Sequence, residues 1–315
     1  MFETITDVLF LKDHNTRVVI ISVMLLGVSS GIIGAFLLLR KRSLMGDVLS
    51  HATLPGIGLA FAVMTAMGFS GKSLAGLLLG AAITGVAGLL TMLAIRSTTR
   101  LRDDAAMGFV LSVFFGLGVA VLGMVQKLPG ANAAGLESFI YGKTASMVLQ
   151  DALLIGGMAL VINLGIVVLL FKELRLSSFD PALAETLGFF PGYIHYLLMT
   201  MVAVTTVAAF ESVGSIIVIA MLIVPAATAM LLTRRLIPMI FIACGVGAAS
   251  SWIGHYMAIR IPPVFGISDT TSSGMMAFAT GMLFTLVWIF IPHEGLLARF
   301  LCRCRTSPVH CESEA

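Results

Sequence analysis

Residues 46–56 read GDVLSHATLPG, with an acid and a histidine four residues apart where a long apolar segment begins. On a helix Asp47 and His51 share one face, about 5–6 Å apart. Pro55 and Gly56 just beyond them are expected to break or kink that helix. Burying an acid or an imidazole in a lipid-spanning segment is costly, and those that persist face a bundle interior or a water-filled path. Two readings therefore stand side by side. In one, the pair lies on a path through a membrane; in the other, Asp47 caps a helix start and a backbone carbonyl satisfies His51. The spacing alone does not choose between them.

The surroundings of this stretch settle the class. The chain of 315 residues is 58% hydrophobic and 11% charged, with a mean hydropathy of +1.05, whereas soluble domains carry about 25% charged residues. This is a membrane protein. Runs long enough to cross a hydrocarbon core of about 30 Å lie near 17–39, 48–69, 73–95, 105–126, 151–171, 193–210, 213–233, 237–259 and 275–292. The expected fold is all-α, a polytopic membrane helix bundle of about eight or nine transmembrane helices, with Pro225 as a second kink. Glycine, at 32 residues, suits close helix packing, and Gly27 with Gly31 and Gly76 with Gly80 supply small faces. Residues 1–16 mix charges with apolar residues and read as an interfacial segment rather than a cleavable signal. Residues 17–292 form the transmembrane domain and 293–315 a tail.

The net charge of +3 says little, because in a membrane protein the placement of basic residues matters more than their sum. Nothing points to nucleic acid. With the loop after the first span placed inside, 13 of the 19 basic residues fall on the cytoplasmic side, which puts the C-terminus in the cytoplasm. Cys302, Cys304, Cys311 and His310 crowd that tail and read as part of a disordered basic segment, with a soft-metal site as the other reading.

The connection from 171 to 196 is unlike a passive loop. Asp180 is a good N-cap, Pro181 suits the first helical position, and Gly188 can close the helix. A short cytoplasmic helix along the membrane surface follows, either docking a partner or tethering two spans. His195 at the start of the next helix reads as a surface histidine. Enzyme-like fragments fail on inspection: GKS at 71–73 follows a helix instead of a strand, and HEGLL at 293–297 lacks the second histidine of a zinc-protease helix. No G-x-S-x-G elbow accompanies a triad. The energy source must then be another subunit or an ion gradient.

Four blocks carry a resemblance: RKRSLMGDVLSHATLPGIGLAF (40–61), DDAAMGFVLSVFFGLGV (103–119), FKELRLSSFDPALAETLG (171–188) and ESVGSIIVIAMLIVPAATAMLLTRR (211–235). Over roughly residues 17–292 the sequence resembles the membrane permease subunits of bacterial ABC transporters for zinc, manganese and iron. The resemblance implies a permease domain without catalytic activity of its own, in the bacterial inner membrane. Its implied partners are a cytoplasmic ATP-binding subunit dimer, an extracytoplasmic metal-binding protein, a second permease copy or a paralogue, and lipid. It implies that Phe179, Asp180, Pro181, Leu183, Ala184 and Gly188 belong to a coupling helix that docks on the ATPase, and that Asp47 and His51 stand in the family's acid-x-x-x-His motif on the metal path. No cofactor is bound permanently; the metal is cargo.

Further candidates for the path are Asp269, Glu211 and His255. Relatives often carry Asp-x-Pro-x-Gly before the last helix, whereas this chain reads SDTTSSG at 268–274, without the proline. Glu211 lines an outer gate or lies exposed in a tight turn; His255 lies within a span or at the interface near Arg260. A stand-alone ion-coupled secondary transporter is the alternative, though no second copy of GDVLSHATLPG marks the inverted repeat such carriers often show. Carboxylate and imidazole suit zinc, manganese and ferrous iron alike.

Overall fold

A computed structural model describes residues 14–40, 45–68, 74–127, 157–264, 266, 270–291 and 295. Eleven helices run through them: α1 (His14–Leu39), α2 (Met45–Ala66), α3 (Leu74–Thr98), α4 (Asp103–Val125), α5 (Met158–Leu169), α6 (Phe171–Phe179), α7 (Pro181–Thr186), α8 (Pro191–Val213), α9 (Ser215–Leu232), α10 (Leu236–Val264) and α11 (Ser272–Phe290). The described residues contain no strand. This is the form lipid demands, because a helix satisfies its own backbone polar groups where no water can.

Six described helices are long and apolar enough to cross a membrane: Thr16–Leu39, Met45–Ala66, Leu79–Thr98, Asp103–Val125, Leu236–Val264 and Ser272–Phe290. The other three expected crossings coincide with α8 and with the shorter apolar helices Leu160–Leu169 and Ile217–Leu232. The expected ends at 39, 210 and 259 fall within a few residues of the observed ones. The 1–16 segment lies mostly outside the described residues, and so do Asp269, GKS at 71–73 and the cysteine-rich tail.

The helices divide into two packed groups. In one, α2 lies against α3 and α4; in the other, α1, α9, α10 and α11 pack on one another, with α5 beside α1 and α8 reaching across to α2. Leu54, Ile57, Phe61, Leu77 and Leu122 form the core of the first group, and Val19, Val23, Ile217, Met221 and Met276 one core of the second. A larger cluster containing Phe36, Met45, Leu49, Met107, Leu174 and Leu198 joins both at one end. Lipid tails are as apolar as leucine, so helix association relies on close packing and hydrogen bonds. The α1–α10 crossing shows this. A Cβ on Gly27 would stand 2.7 Å from the Gly247 carbonyl oxygen. The Gly27/Gly31 face is thus a helix contact, as its spacing suggested.

Hydrogen bonds add to the packing where α5 meets its neighbours. The buried Asn163 donates through Nδ2 to Ser29 Oγ at 2.7 Å and to Thr205 Oγ1 at 2.6 Å, tying α5 to α1 and α8. Such interhelical bonds average about 0.6 kcal/mol in membranes.

Of the break or kink expected at Pro55 and Gly56, the break does not occur. α2 continues through Pro55 and Gly56, and α9 through Pro225. Pro55 lacks the N–H that would pair with the carbonyl four residues earlier, but its ring is held against α4: a Cβ on Gly118 would meet Pro55 Cδ at 3.1 Å. Spanning helices tolerate proline where neighbouring helices surround it, and here α4 packs against the ring while the His51 carbonyl is left without its usual helical donor. Gly56 serves a crossing rather than a break, since a Cβ there would collide with the Gly80 backbone on α3.

Candidate functional site

Asp47 lies in the first turn of α2, where a carboxylate complements the positive helix end. His51 follows one turn later, with Nε2 3.2 Å from Asp47 Oδ1. The two side chains are 20% and 24% exposed, neither sealed in the core nor free on the surface. The ring of Phe115 on α4 meets the imidazole in a T-shaped pair, with ring centroids 4.7 Å apart and planes at 75°. Imidazole Nδ1 is buried and has no hydrogen-bond partner. The reading in which a backbone carbonyl satisfies His51 therefore does not hold for that nitrogen. Leaving a buried polar atom unpaired typically costs about 1–3 kcal/mol.

The chemistry of the pair follows from these contacts. The carboxylate beside Nε2 fixes the position of the imidazole ring. The 3.2 Å separation is also close to the edge that two ligands make around one ion at about 2.0–2.2 Å. Pro55, four residues after His51, removes the usual backbone donor from the His51 carbonyl. Oxygen and nitrogen donors thus concentrate within one turn of α2.

Of the other candidates, His255 is not grouped with this pair among the described residues. His255 is 5% exposed on α10, with Nδ1 unpartnered, so it is packed among the helices. Its helix belongs to the group of α1, α9 and α11, while α2 packs with α3 and α4. Glu211 lies in the last turn of α8 rather than in a turn between helices; the chain reverses at Gly214, with φ of 83°. Asp269 lies outside the described residues. Among the described residues no three His, Cys, Asp or Glu side chains group as a metal cage.

The 180–188 segment folds as its residues dictate. Asp180 Oδ1 accepts from the Leu183 N–H at 3.0 Å, and Pro181 opens α7. At the other end Gly188, with φ of 83°, donates to Glu185 O at 3.0 Å, and Phe189 N–H reaches Ala184 O at 3.0 Å, the paired closure of a Schellman motif. Ala184 is fully buried, whereas Phe179, Leu183 and Leu187 are exposed. The helix is therefore fixed by its inner face and presents large apolar side chains outward. The sequence did not reveal α6. Its Leu174 sits in the core, and Ser177 and Ser178 accept hydrogen bonds from Arg40, the latter at 3.1 Å from Nε. Phe115 was missed as well, because nothing local links it to a histidine 64 positions earlier.

A multi-pass bundle with a half-buried acid–imidazole pair in one span, and a capped short helix offered at one end, has the build of a membrane transport subunit. The chain belongs to the ABC 3 transport family, whose sequence pattern matches residues 12–291. It is 38% identical over 300 residues to the manganese transport system membrane protein MntC of Bacillus subtilis, covering 95% of this chain and 66% of that protein. It is 37% identical over 297 residues to the zinc transport system membrane protein TroC of Treponema pallidum, covering 94% of this chain and 95% of the relative. Its fold is similar to the structure of PsaBC from Streptococcus pneumoniae in complex with Fab. That similarity has a TM-score of 0.77 at 28% identity and covers 96% of this chain and all of the other.

Proposed function

We propose that this chain is the permease subunit of an ABC importer that moves a divalent transition metal, zinc, manganese or ferrous iron, into the bacterial cytoplasm. The observation that carries the cargo class is the Asp47–His51 pair, with its 3.2 Å separation and its unpartnered imidazole nitrogen. Two protein ligands hold an ion more loosely than the three or four of a storage or catalytic site, which suits passage. The names of the manganese and zinc relatives support the same class. Family membership supports an ATP-driven importer over the ion-coupled alternative.

In this reading a separate cytoplasmic ATP-binding subunit dimer supplies hydrolysis, and α7 docks on it through Phe179, Leu183 and Leu187. Two ATPase subunits need two docking helices and this chain supplies one, so a second copy or a paralogous permease completes the assembly. A dimer built about the α2 face would bring two acid–imidazole pairs to one path. An extracytoplasmic metal-binding protein delivers the ion on the other side. The placement of 13 of 19 basic residues supports a cytoplasmic C-terminus.

The test uses Asp47→Asn and His51→Gln in cells starved of zinc, manganese or iron. Both changes keep side-chain shape while removing the charge or the imidazole nitrogen. Metal uptake should fall to background in each, while assembly with the ATPase and ATP hydrolysis persist. Wild-type uptake in both variants would remove the pair from the path.

A further inference from the structure

A cavity of about 450 Å³ opens between the end of α1, the end of α3, α6 and the start of α8, and its lining includes Arg40, Arg96, Ser177, Ser178, Gly192 and His195. None of its described lining residues is acidic. Three side chains capable of carrying positive charge converge there from α1, α3 and α8. Arg40 is held in place by both serine hydroxyls. Those serines in turn lean on the Leu174 carbonyl, Ser178 at 2.6 Å and Ser177 at 3.5 Å. A guanidinium fixed in this way loses little further freedom when it meets an anion, and its planar fork matches two phosphate oxygens. Arg96 is balanced in part by Asp103, 3.1 Å from Nε. The described lining thus holds two arginines and a histidine and no carboxylate.

The cavity lies at the ends of two apolar spans, which favours a lipid as the source of the anion. The apolar span of α1 ends at Leu39 and that of α3 at Thr98, both beside the cavity. Next to it Phe190, Tyr193 and Tyr196 stand exposed, as aromatic side chains do at a membrane–water boundary. Along α3, Leu79, Ile83, Val86 and Leu90 are exposed at helical spacing and lead toward the Arg96 end. A phosphate ester beside this apolar face fits a phospholipid. Basic pockets between spanning helices are suited to anionic headgroups.

We propose that this cavity binds the phosphate group of an anionic phospholipid, with Arg40, Arg96 and His195 as its ligands and the apolar face of α3 beside its acyl chains. The site touches the coupling region through Ser177 and Ser178 of α6 and through Pro181, the first residue of α7. A bound headgroup would brace the segment that meets the ATPase. The proposal does not depend on which ion is carried.

The experiment is native mass spectrometry of the purified, delipidated permease titrated with phosphatidylglycerol or phosphatidylcholine. A parallel arm measures binding of radiolabelled inorganic phosphate in lipid-free detergent. Wild type should retain phosphatidylglycerol over phosphatidylcholine. The double variant Arg96→Gln/His195→Gln should retain roughly tenfold less. Arg175→Gln, an exposed basic residue on α6 outside the cavity, should behave as wild type. Should the double variant not purify as a monodisperse protein, His195→Gln alone decides, with a several-fold loss expected. Equal retention by wild type and variant overturns the proposal. So does phosphate binding that is lost in the variant while phosphatidylglycerol shows no preference, which would make the ligand free phosphate. Protection of the cavity only when the ATP-binding subunit is added also overturns it, by making the occupant a protein carboxylate.

Discussion

The acid–histidine pair of α2 and the capped segment at 180–188 are both short motifs with an Asp near the start and a Pro or Gly nearby, yet they are built on opposite principles. In the segment, every defining bond joins residues a few positions apart: Asp180 to Leu183, Gly188 to Glu185, Phe189 to Ala184. In α2 the defining contacts come from elsewhere: Phe115 over the imidazole, Gly118 under Pro55, Gly80 against Gly56. Local rules can specify the first. The second exists only when three helices are in place, so its Pro and Gly mean something other than they would in isolation.

The largest effect should come from breaking that three-helix seat. Gly56→Val would drive a branched side chain into the Gly80 backbone and the Thr84 hydroxyl on α3, and overpacking typically costs about 1–3 kcal/mol, more where backbone blocks relaxation. The variant should lose most folded, monodisperse protein by size-exclusion chromatography and melt earlier. Gly108→Ala on α4, where a Cβ meets nothing within 4 Å, should melt at or above wild type because alanine favours a helix interior. Equal behaviour of the two would show that α2 does not depend on this crossing.

This contrast explains how much was legible in the sequence. Hydropathy placed the long helices, because spanning lipid imposes length and apolarity on the chain directly. Cap chemistry placed α7 within two residues, with its closing glycine. At Pro55 the sequence shows the missing N–H, but not the contacts from α3 and α4 that accompany the helix past it. At Glu211 the sequence left a gate and a turn open; α8 runs on past it to Val213, and the reversal waits for Gly214, whose positive φ favours glycine. α6 was missed since FKELRLSSF is short and far less apolar than the spans; Arg40, more than 130 positions earlier, bonds its two serines.

Next in size are changes to the segment, which should act locally. Leu183→Glu places a charge on the exposed apolar side of α7 and should weaken association with the ATP-binding subunit, measured by co-purification. The melting of the permease itself should stay within measurement error. Asp180→Ala removes the N-cap bond and costs about 0.5–2 kcal/mol of local helix stability. Its signature should be faster amide exchange confined to 180–188. Exchange spreading into α8 or α2 would contradict the local construction of this segment.

The smallest effect expected tests whether the covering helix tunes the pair or merely surrounds it. Phe115 meets His51 edge to face at 4.7 Å, an arrangement worth about 0.5–1.5 kcal/mol between aromatic rings. Phe115→Leu keeps an apolar side chain of similar reach but withdraws the aromatic ring. If that ring helps hold the imidazole in its ligating orientation beside Asp47, the imidazole gains freedom that an arriving ion must remove. The concentration of metal needed for half-maximal uptake should then rise by about two- to tenfold, with the maximal rate and the melting temperature little changed. Phe115 is 43% exposed, so its loss opens no sealed cavity and a large drop in stability is not expected. Unchanged metal dependence would show that Asp47 alone orients His51, and the pair would then be more local, and closer in kind to the 180–188 segment, than its surroundings indicate.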